Sequence, residues 1–425
     1  MLDRQLIRTR PEEVKQGATR KGINVPIEQW VLLDQKYREH LSKLESERAE
    51  LNKQSKLVGQ YFQEGKKEDA ETAKTQTKEL KEKIESLETK VKQAEKVLIE
   101  LELQIPNLPQ LDVPNGTSAE ENHIVRQWGE KPTLHTKPTP HWETAERLKL
   151  IDFERASKIS GSGFAVYTGL GARLQRALLS FMIDHQTLKA GYQEVYPPYL
   201  VVRNCLVGTG SLPKLEGDFY ETSDDLYLIP TAEVPLTNLY REEILDASML
   251  TLKMAAATGC FRREAGAAGK DTRGILRVHQ FDKVELLKYS LPEKSNEELE
   301  LLVQDAEAIL QMLGIHYRVA LLCAGEMGFG NTKQYDLEIW APGVQKFLEI
   351  SSCSNFESFQ ARRANIRFRR GQGEKPEFVH TLNGSGLATP RLFATLLETY
   401  LQPDGSVIIP DVLRPYVGTD RIVSP

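Results

Sequence analysis

Apolar residues return at every seventh position through the first long helix that the chain predicts. Trp30, Tyr37, Leu44, Leu51 and Val58 form one seam, with Leu33 and Leu41 beside it, from about Trp30 to Leu57. The intervening core positions hold His40, Glu47 and Gln54, so the seam is less regular than an ideal zipper. GQYFQEGKKED, with Gly59 and Gly65, reads as a turn. A cleaner pattern follows: Ala73, Thr77, Leu80, Ile84, Leu87, Val91, Ala94, Leu98, Leu101 and Ile105 alternate spacings of four and three. Two seams joined by one short turn predict an antiparallel coiled-coil hairpin. Pro106, Pro109 and Pro114 then stop the second helix and set a non-helical linker.

Beyond the linker the period changes. Ala172 to about Leu188 keeps helical spacing through Leu174, Leu178, Phe181, Met182 and His185, and Gly191 ends it. YQEVYPPYLV reads as a strand limited by Pro197 and Pro198. Further strands are predicted in DLYLIP, CFRREAG, LRVHQFDKVELLKYS, YDLEIWAP, QKFLEISSCSNF and SVIIPDVLRPY. They return through hairpin-like links instead of alternating with helices. The expected fold is therefore α+β, an antiparallel β-sheet flanked by helices behind an N-terminal helical hairpin. The expected divisions are 1–105 for the arm, 106–135 for the linker and start of the body, and 136–425 for the body.

Composition narrows the partners. Among 425 residues, 55 Lys and Arg face 60 Asp and Glu, a net charge of -5 that excludes indiscriminate attraction to nucleic acid. The arm is charge-dense yet nearly neutral; Lys53, Lys56, Lys66, Lys67, Lys74 and Lys78 either meet a phosphate backbone locally or face solvent. No apolar run reaches the roughly 20 residues of a membrane span, and MLDRQLIRTRPEEV lacks a signal-peptide core, so a cytoplasmic location is the default. Cys205, Cys260, Cys323 and Cys353 are scattered without a CxxC pair, which points to free thiols and away from disulfides or structural zinc.

No GxxxxGK[ST] loop is present, and GSGFAVYTGLG lacks the strand-to-helix setting of a dinucleotide fingerprint. Phosphate would have to be held by side chains. Arg262, Arg263 and Glu264 lie on one strand candidate, the GAAGKDTRG loop follows, and Arg277, His279, Phe281 and Glu285 share one face of the returning strand. Such a face can contact phosphate, stack on a purine and receive an ammonium group. Plain core packing is the competing reading of Phe281. Asp336, Glu338, Glu349 and Ser352 on two neighbouring strands suit a hard cation that keeps waters and bridges phosphates, or else surface salt bridges. LNGSGLATPRLFATLLETY passes from a glycine-rich turn into a helix starting near Thr389. Pro390 and Arg391 lie in its first turn, where an anion is welcome.

YQEVYPPYLV, FRREAG with LRVHQFDKVE, and GSGLATPRL resemble the three signature motifs of class II aminoacyl-tRNA synthetases. TAEVPLTN, YDLEIW, FLEISSCSN and the coiled-coil arm are similar to the seryl-tRNA synthetase family, and the resemblance covers essentially the whole chain. It implies a homodimer, joined partly through YQEVYPPYLV, that activates L-serine with ATP and Mg2+ and transfers it to tRNA(Ser). Selenocysteine tRNA is a further acceptor where the host has that pathway. It also implies that Arg262 holds the α-phosphate and the serine carboxylate, with Arg262 and Arg391 as catalytic residues. Glu264 would meet the adenine, Phe281 would stack on it, and Arg277 and Arg391 would take the outer phosphates. Glu349, Ile350, Ser351 and Ser352 would line ATP, with Glu349 and Ser352, and more weakly Glu338, holding Mg2+. Thr231, Glu233, Glu285, Asn383 and Ser385 would form the serine pocket with Arg262. An amino acid:carrier-protein ligase and a noncatalytic relative are the alternatives. The run Arg362, Arg363, Arg367, Arg369 and Arg370 either touches RNA or has a solvated or interface role.

Overall fold

The computed structural model describes residues 1–134, 137–264 and 273–424, so most of the GAAGKDTRG loop lies outside the described residues. The chain divides into two compact units, one built from Leu2–Thr19 and Ile23–Pro106, the other from Met1, Arg20–Gly22 and Asn107–Pro425.

The first unit is the helical hairpin. Helices α1 (Ile27–Gln63) and α2 (Lys67–Glu102) pack along their length. Trp30, Leu44, Ala73, Ile84, Leu98 and Leu101 are buried in the seam. Helix α1 runs through Gly59, which costs about 1 kcal/mol relative to alanine in a helix interior, and the turn closes later at Gly65, whose φ is +74°. At the base, buried Asp34 accepts from Arg8 at 2.7 and 2.8 Å and from Arg38 at 3.0 Å. Burial pushes the Asp34 carboxyl up, but the two guanidinium groups outweigh it and hold it below its ordinary value. Buried Glu102 likewise accepts from Arg4 at 2.6 Å and from the Trp30 indole at 3.1 Å. Charged groups inside the hairpin are thus paired, as burial demands.

The second unit is organised by one eight-stranded sheet. Its strands in chain order are β1 (His123–Trp128), β2 (Gln193–Glu194), β3 (Leu252–Phe261), β4 (Gln280–Ser290), β5 (Tyr317–Leu321), β6 (Lys333–Ala341), β7 (Lys346–Glu357) and β8 (His380–Ala388). Their spatial order is β1-β5-β6-β7-β8-β4-β3-β2, antiparallel except for the β2–β3 pair. Helices α3 (His141–Arg147), α4 (Gly169–Leu188), α5 (Ser295–Met312) and α6 (Thr389–Thr399) accompany it. The back face carries Val284, Leu286, Leu337, Ile339, Ile350, Cys353 and Leu382 into a core shared with Leu174, Leu178, Met182, Leu302, Ala306, Leu392 and Leu396. Removing these side chains from water at about 25 cal/mol per Å² is what fixes the register, because a one-residue slip would expose the whole set.

Several expectations shift. The glycine-rich LNGSGLA is a central strand, β8, and no turn: a Cβ on Gly384 would lie 2.7 Å from Cys353 Sγ, so glycine is demanded by close strand packing. CFRREAG leaves the sheet at Phe261, and β4 starts only at Gln280, so Arg262, Glu264, Arg277 and His279 sit beyond the strand ends. YQEVYPPYLV divides at its prolines into Gln193–Glu194 and Leu200–Val202, the latter pairing outside the main sheet with Leu226–Leu228. SVIIPDVLRPY is strand only at Val407–Ile408 before Pro410 and a short helix intervene. Cys260, Cys323 and Cys353 are buried free thiols and Cys205 is partly buried. No helix among the described residues is long and apolar enough to cross a membrane.

Candidate active site

The front face of the sheet is polar where the back is apolar. Alternation on β4 presents Phe281, Lys283 and Glu285 to the front, and cross-strand pairing adds Ser385 opposite Glu285 and Thr258 opposite Lys283. On the other side, Asp336 pairs with Ser352, and Ser354 with Asn383. Glu349 and Ser352 are three residues apart and would point to opposite faces of a regular strand. The register shift between Leu337 and Glu338, where Glu338 meets Glu349 and Leu337 meets Ser351, leaves Ile350 as an extra residue. That bulge returns Glu349 to the face of Ser352 and sends Ile350 into the core. A second irregularity between Ser385 and Ala388 ends β8 just where α6 begins, three residues before Arg391 clears the sheet.

Two adjoining spaces open on this face. One, of about 740 Å³, is lined by Arg262, Glu264, Arg277, Phe281, Lys283, Glu349, Ile350, Ser385 and Arg391. The other, of about 1200 Å³, takes in Thr231, Glu233, Arg262, Lys283, Glu285, Glu349, Ser352, Asn383 and Ser385. Arg262, Lys283, Glu349 and Ser385 line both, so they mark the junction.

In the first space the Arg262 guanidinium lies 5.1 Å from the Phe281 ring centre, and Arg262 Nε donates to Pro230 O at 3.3 Å. Arg277 pairs with Glu264. Arg391 donates to Glu349 O and to Leu276 O, the latter at 3.4 Å. Phe281 is only partly buried at the rim of the core, which favours a contact surface over pure packing.

In the second space Lys283 and Glu285 form a buried ion pair. Thr231 Oγ1 accepts from Lys283 at 2.8 Å and donates to Glu285 at 2.9 Å. Glu233 accepts from Gln360 at 2.8 Å; burial, then the charge of Glu285, pushes its carboxyl up to about 7. Asn383 lies buried beside Glu233 and favours its charged form. Gln334 donates to Ser352 Oγ at 2.7 Å and to Asp336 at 3.1 Å, and burial followed by the charge of Glu349 raises the Asp336 carboxyl to about 8. Asp336 is therefore no surface salt bridge. Glu338 does pair with Arg318.

Comparison with known proteins decides the family. Residues 1–109 match the family described as seryl-tRNA synthetase N-terminal domain, and 214–400 match the tRNA synthetase class II core domain (G, H, P, S and T). The serine--tRNA ligase of Acetivibrio thermocellus is 52% identical over 424 residues, with 100% of both chains covered. The chain belongs to the seryl-tRNA synthetase family. The Geobacillus kaustophilus serine--tRNA ligase is 51% identical over 425 residues, again with 100% of both chains covered. The solved seryl-tRNA synthetase of Pyrococcus horikoshii, complexed with ATP, superposes with a TM-score of 0.93 at 38% identity, covering 100% of both chains. The Naegleria fowleri cytoplasmic enzyme, in complex with AMP, gives 0.87 at 31% identity over 99% of this chain and 98% of that one.

Every residue that the resemblance to the seryl-tRNA synthetase family singled out is described, and all but Glu338 and Ser351 line one space or the other. Ser351 is buried and donates to Ser385 O at 2.7 Å, bracing the two strands. Sequence reasoning missed Lys283, which the odd-position rule on β4 would have found, and Gln334, whose role depends on the bulge. Of the arginine run, half-buried Arg363 donates to Leu212 O at 3.1 Å, and Arg370 pairs with Glu293 and Glu377 at 2.8 and 2.7 Å. Replacing Lys283→Met strands Glu285 in a buried site. A stability loss of about 3–5 kcal/mol is expected, read as a lower urea midpoint.

Proposed function

We propose that the chain joins L-serine to tRNA(Ser) in two steps on this face, with Arg262 at the junction of the two spaces. That junction is the observation that carries the reading: one guanidinium borders both the rim where Phe281 offers a stacking surface and the pocket of Glu233, Glu285 and Asn383. The serine carboxylate is already a nucleophile at pH 7, so attack on the α-phosphorus of ATP needs no protein base. It needs alignment and stabilisation of the charge that develops on the equatorial oxygens as pyrophosphate leaves. Arg262 supplies directed donors to both reacting groups. Adenine stacks on Phe281 and meets Glu264, while Arg277 and Arg391 receive the outer phosphates, Arg277 by sharing or leaving Glu264. A hydroxyl of the terminal tRNA ribose then attacks the seryl carbonyl carbon and AMP departs.

Glu233 and Glu285 accept the serine ammonium, and Thr231, Asn383 and Ser385 complete the pocket. Alanine would leave such buried groups unpaired, at about 1–3 kcal/mol each. Hard oxygens from Glu349 and Ser352, with Asp336 behind them under negative potential, fit Mg2+. ATP phosphates and water would complete the shell of an ion held by these two residues. When bound, Mg2+ neutralises phosphate charge. Homodimerisation is supported by the exposed apolar side chains of Leu188, Tyr196 and Val202 around YQEVYPPYLV. The division 1–105, 106–135 and 136–425 then separates tRNA binding from chemistry, in the cytoplasm, with selenocysteine tRNA as a second acceptor in hosts that have it.

Serine-dependent ATP–pyrophosphate exchange tests adenylation, and shortening the hairpin between residues 40 and 95 tests the arm. Exchange is expected to survive the shortening while tRNA charging falls at least about a hundredfold; loss of both in an intact dimer would refute the division. The raised Glu233 carboxyl adds a pH signature. Below pH 7 it is protonated and loses its attraction for the ammonium, so the serine KM should rise, approaching about tenfold per pH unit, and Glu233→Gln should flatten this dependence.

A further inference from the structure

A polar pair lies wholly inside the body, behind the phosphate end of the site. His141 opens α3 and Glu398 lies in the last turn of α6, and their side chains are 0% and 1% exposed. Glu398 Oε1 accepts from His141 N at 2.9 Å and contacts His141 Nδ1 at 3.0 Å; Glu398 Oε2 accepts from Gly343 N at 2.9 Å. A carboxylate only accepts, so Nδ1 carries the proton and Nε2 is left as an acceptor, which Ile275 N fills at 3.2 Å. Gly274, at φ +73, lies so near that a Cβ there would sit 2.2 Å from His141 Nε2. The Arg273 guanidinium adds a stacking contact, 4.9 Å from the Trp142 ring centre.

Each element tied to this pair delivers one phosphate-end residue. Ile275 is two residues before Arg277, Gly343 lies in the turn between β6 and β7 from which Glu349 follows, and α6 carries Arg391. None of the three contacts is on the serine side. We infer that His141 and Glu398 are positioning residues that set Arg277, Glu349 and Arg391 in mutual register for the outer phosphates of ATP. They touch no substrate. Their effect runs through the backbone amides of Ile275 and Gly343, which fix how far the segment before β4 and the β6–β7 turn stand from the last turn of α6, and so seat the helix whose first turn holds Arg391. The inference rests on the adenylation reading above.

The test is ATP–pyrophosphate exchange with full-length wild type, His141→Phe, Glu398→Gln and His141→Gln, measuring the KM for ATP and for serine separately alongside melting temperature. His141→Phe keeps a flat aromatic ring, somewhat larger, and removes both ring nitrogens; the ATP KM should rise about tenfold while the serine KM stays within about twofold. His141→Gln, which can again accept from Ile275 N, should recover part of the loss. If His141→Phe does not fold, Glu398→Gln carries the same expectation, since an amide cannot accept from all three donors. Equal rises in both KM values, or an unchanged ATP KM in a folded variant, would overturn the inference alone. Absence of exchange in the wild type would overturn the adenylation reading, and the inference with it.

Discussion

Everything at the site depends on a sheet that spends one face on burial and the other on chemistry. Alternation along β4 to β8 gives the back face to Leu and Val side chains and leaves the front free for Lys283, Glu285, Asn383 and Ser352. The extra residue at Ile350 is what lets a single strand contribute both Glu349 and Ser352 to the front without exposing apolar surface. A bulge is tolerated there because the neighbouring strands are long and the back face is anchored by α4, α5 and α6.

Electrostatics follow from that geometry. The front face gathers Glu233, Glu285 and Glu349 against Lys283 and Arg262, with buried Asp336 behind them, so that the charges interact more strongly than in bulk water. Burial first, and neighbouring carboxylates second, raise the Glu233 and Asp336 carboxyls. In the proposed reaction the serine ammonium and a magnesium-bound phosphate would bring positive charge to these carboxylates.

Much of this was legible in the residues. The hairpin followed from its seven-residue seam, and the α+β sheet from strands joined by hairpin links; both are local patterns. The odd positions of β4 placed Phe281 and Glu285 on one face. What escaped was non-local: LNGSGLA looked like a turn because glycine propensity speaks for loops, while its true cause is the Cys353 sulfur one strand away. The same holds for Gln334 and for the His141–Glu398 pair, whose partners are distant in sequence and adjacent only once the sheet closes. Boundaries moved for a similar reason, since Arg262 and Arg277 project because their strands end where pairing ends.

The most direct measurement is a crystal structure of the full chain with a non-hydrolysable seryl-adenylate analogue. The account predicts the adenine ring on Phe281, the phosphate-mimicking group within hydrogen-bond distance of Arg262, and the seryl amino group between Glu233 and Glu285. An analogue bound with its seryl group away from those carboxylates, or with Arg262 contacting neither end, would contradict it.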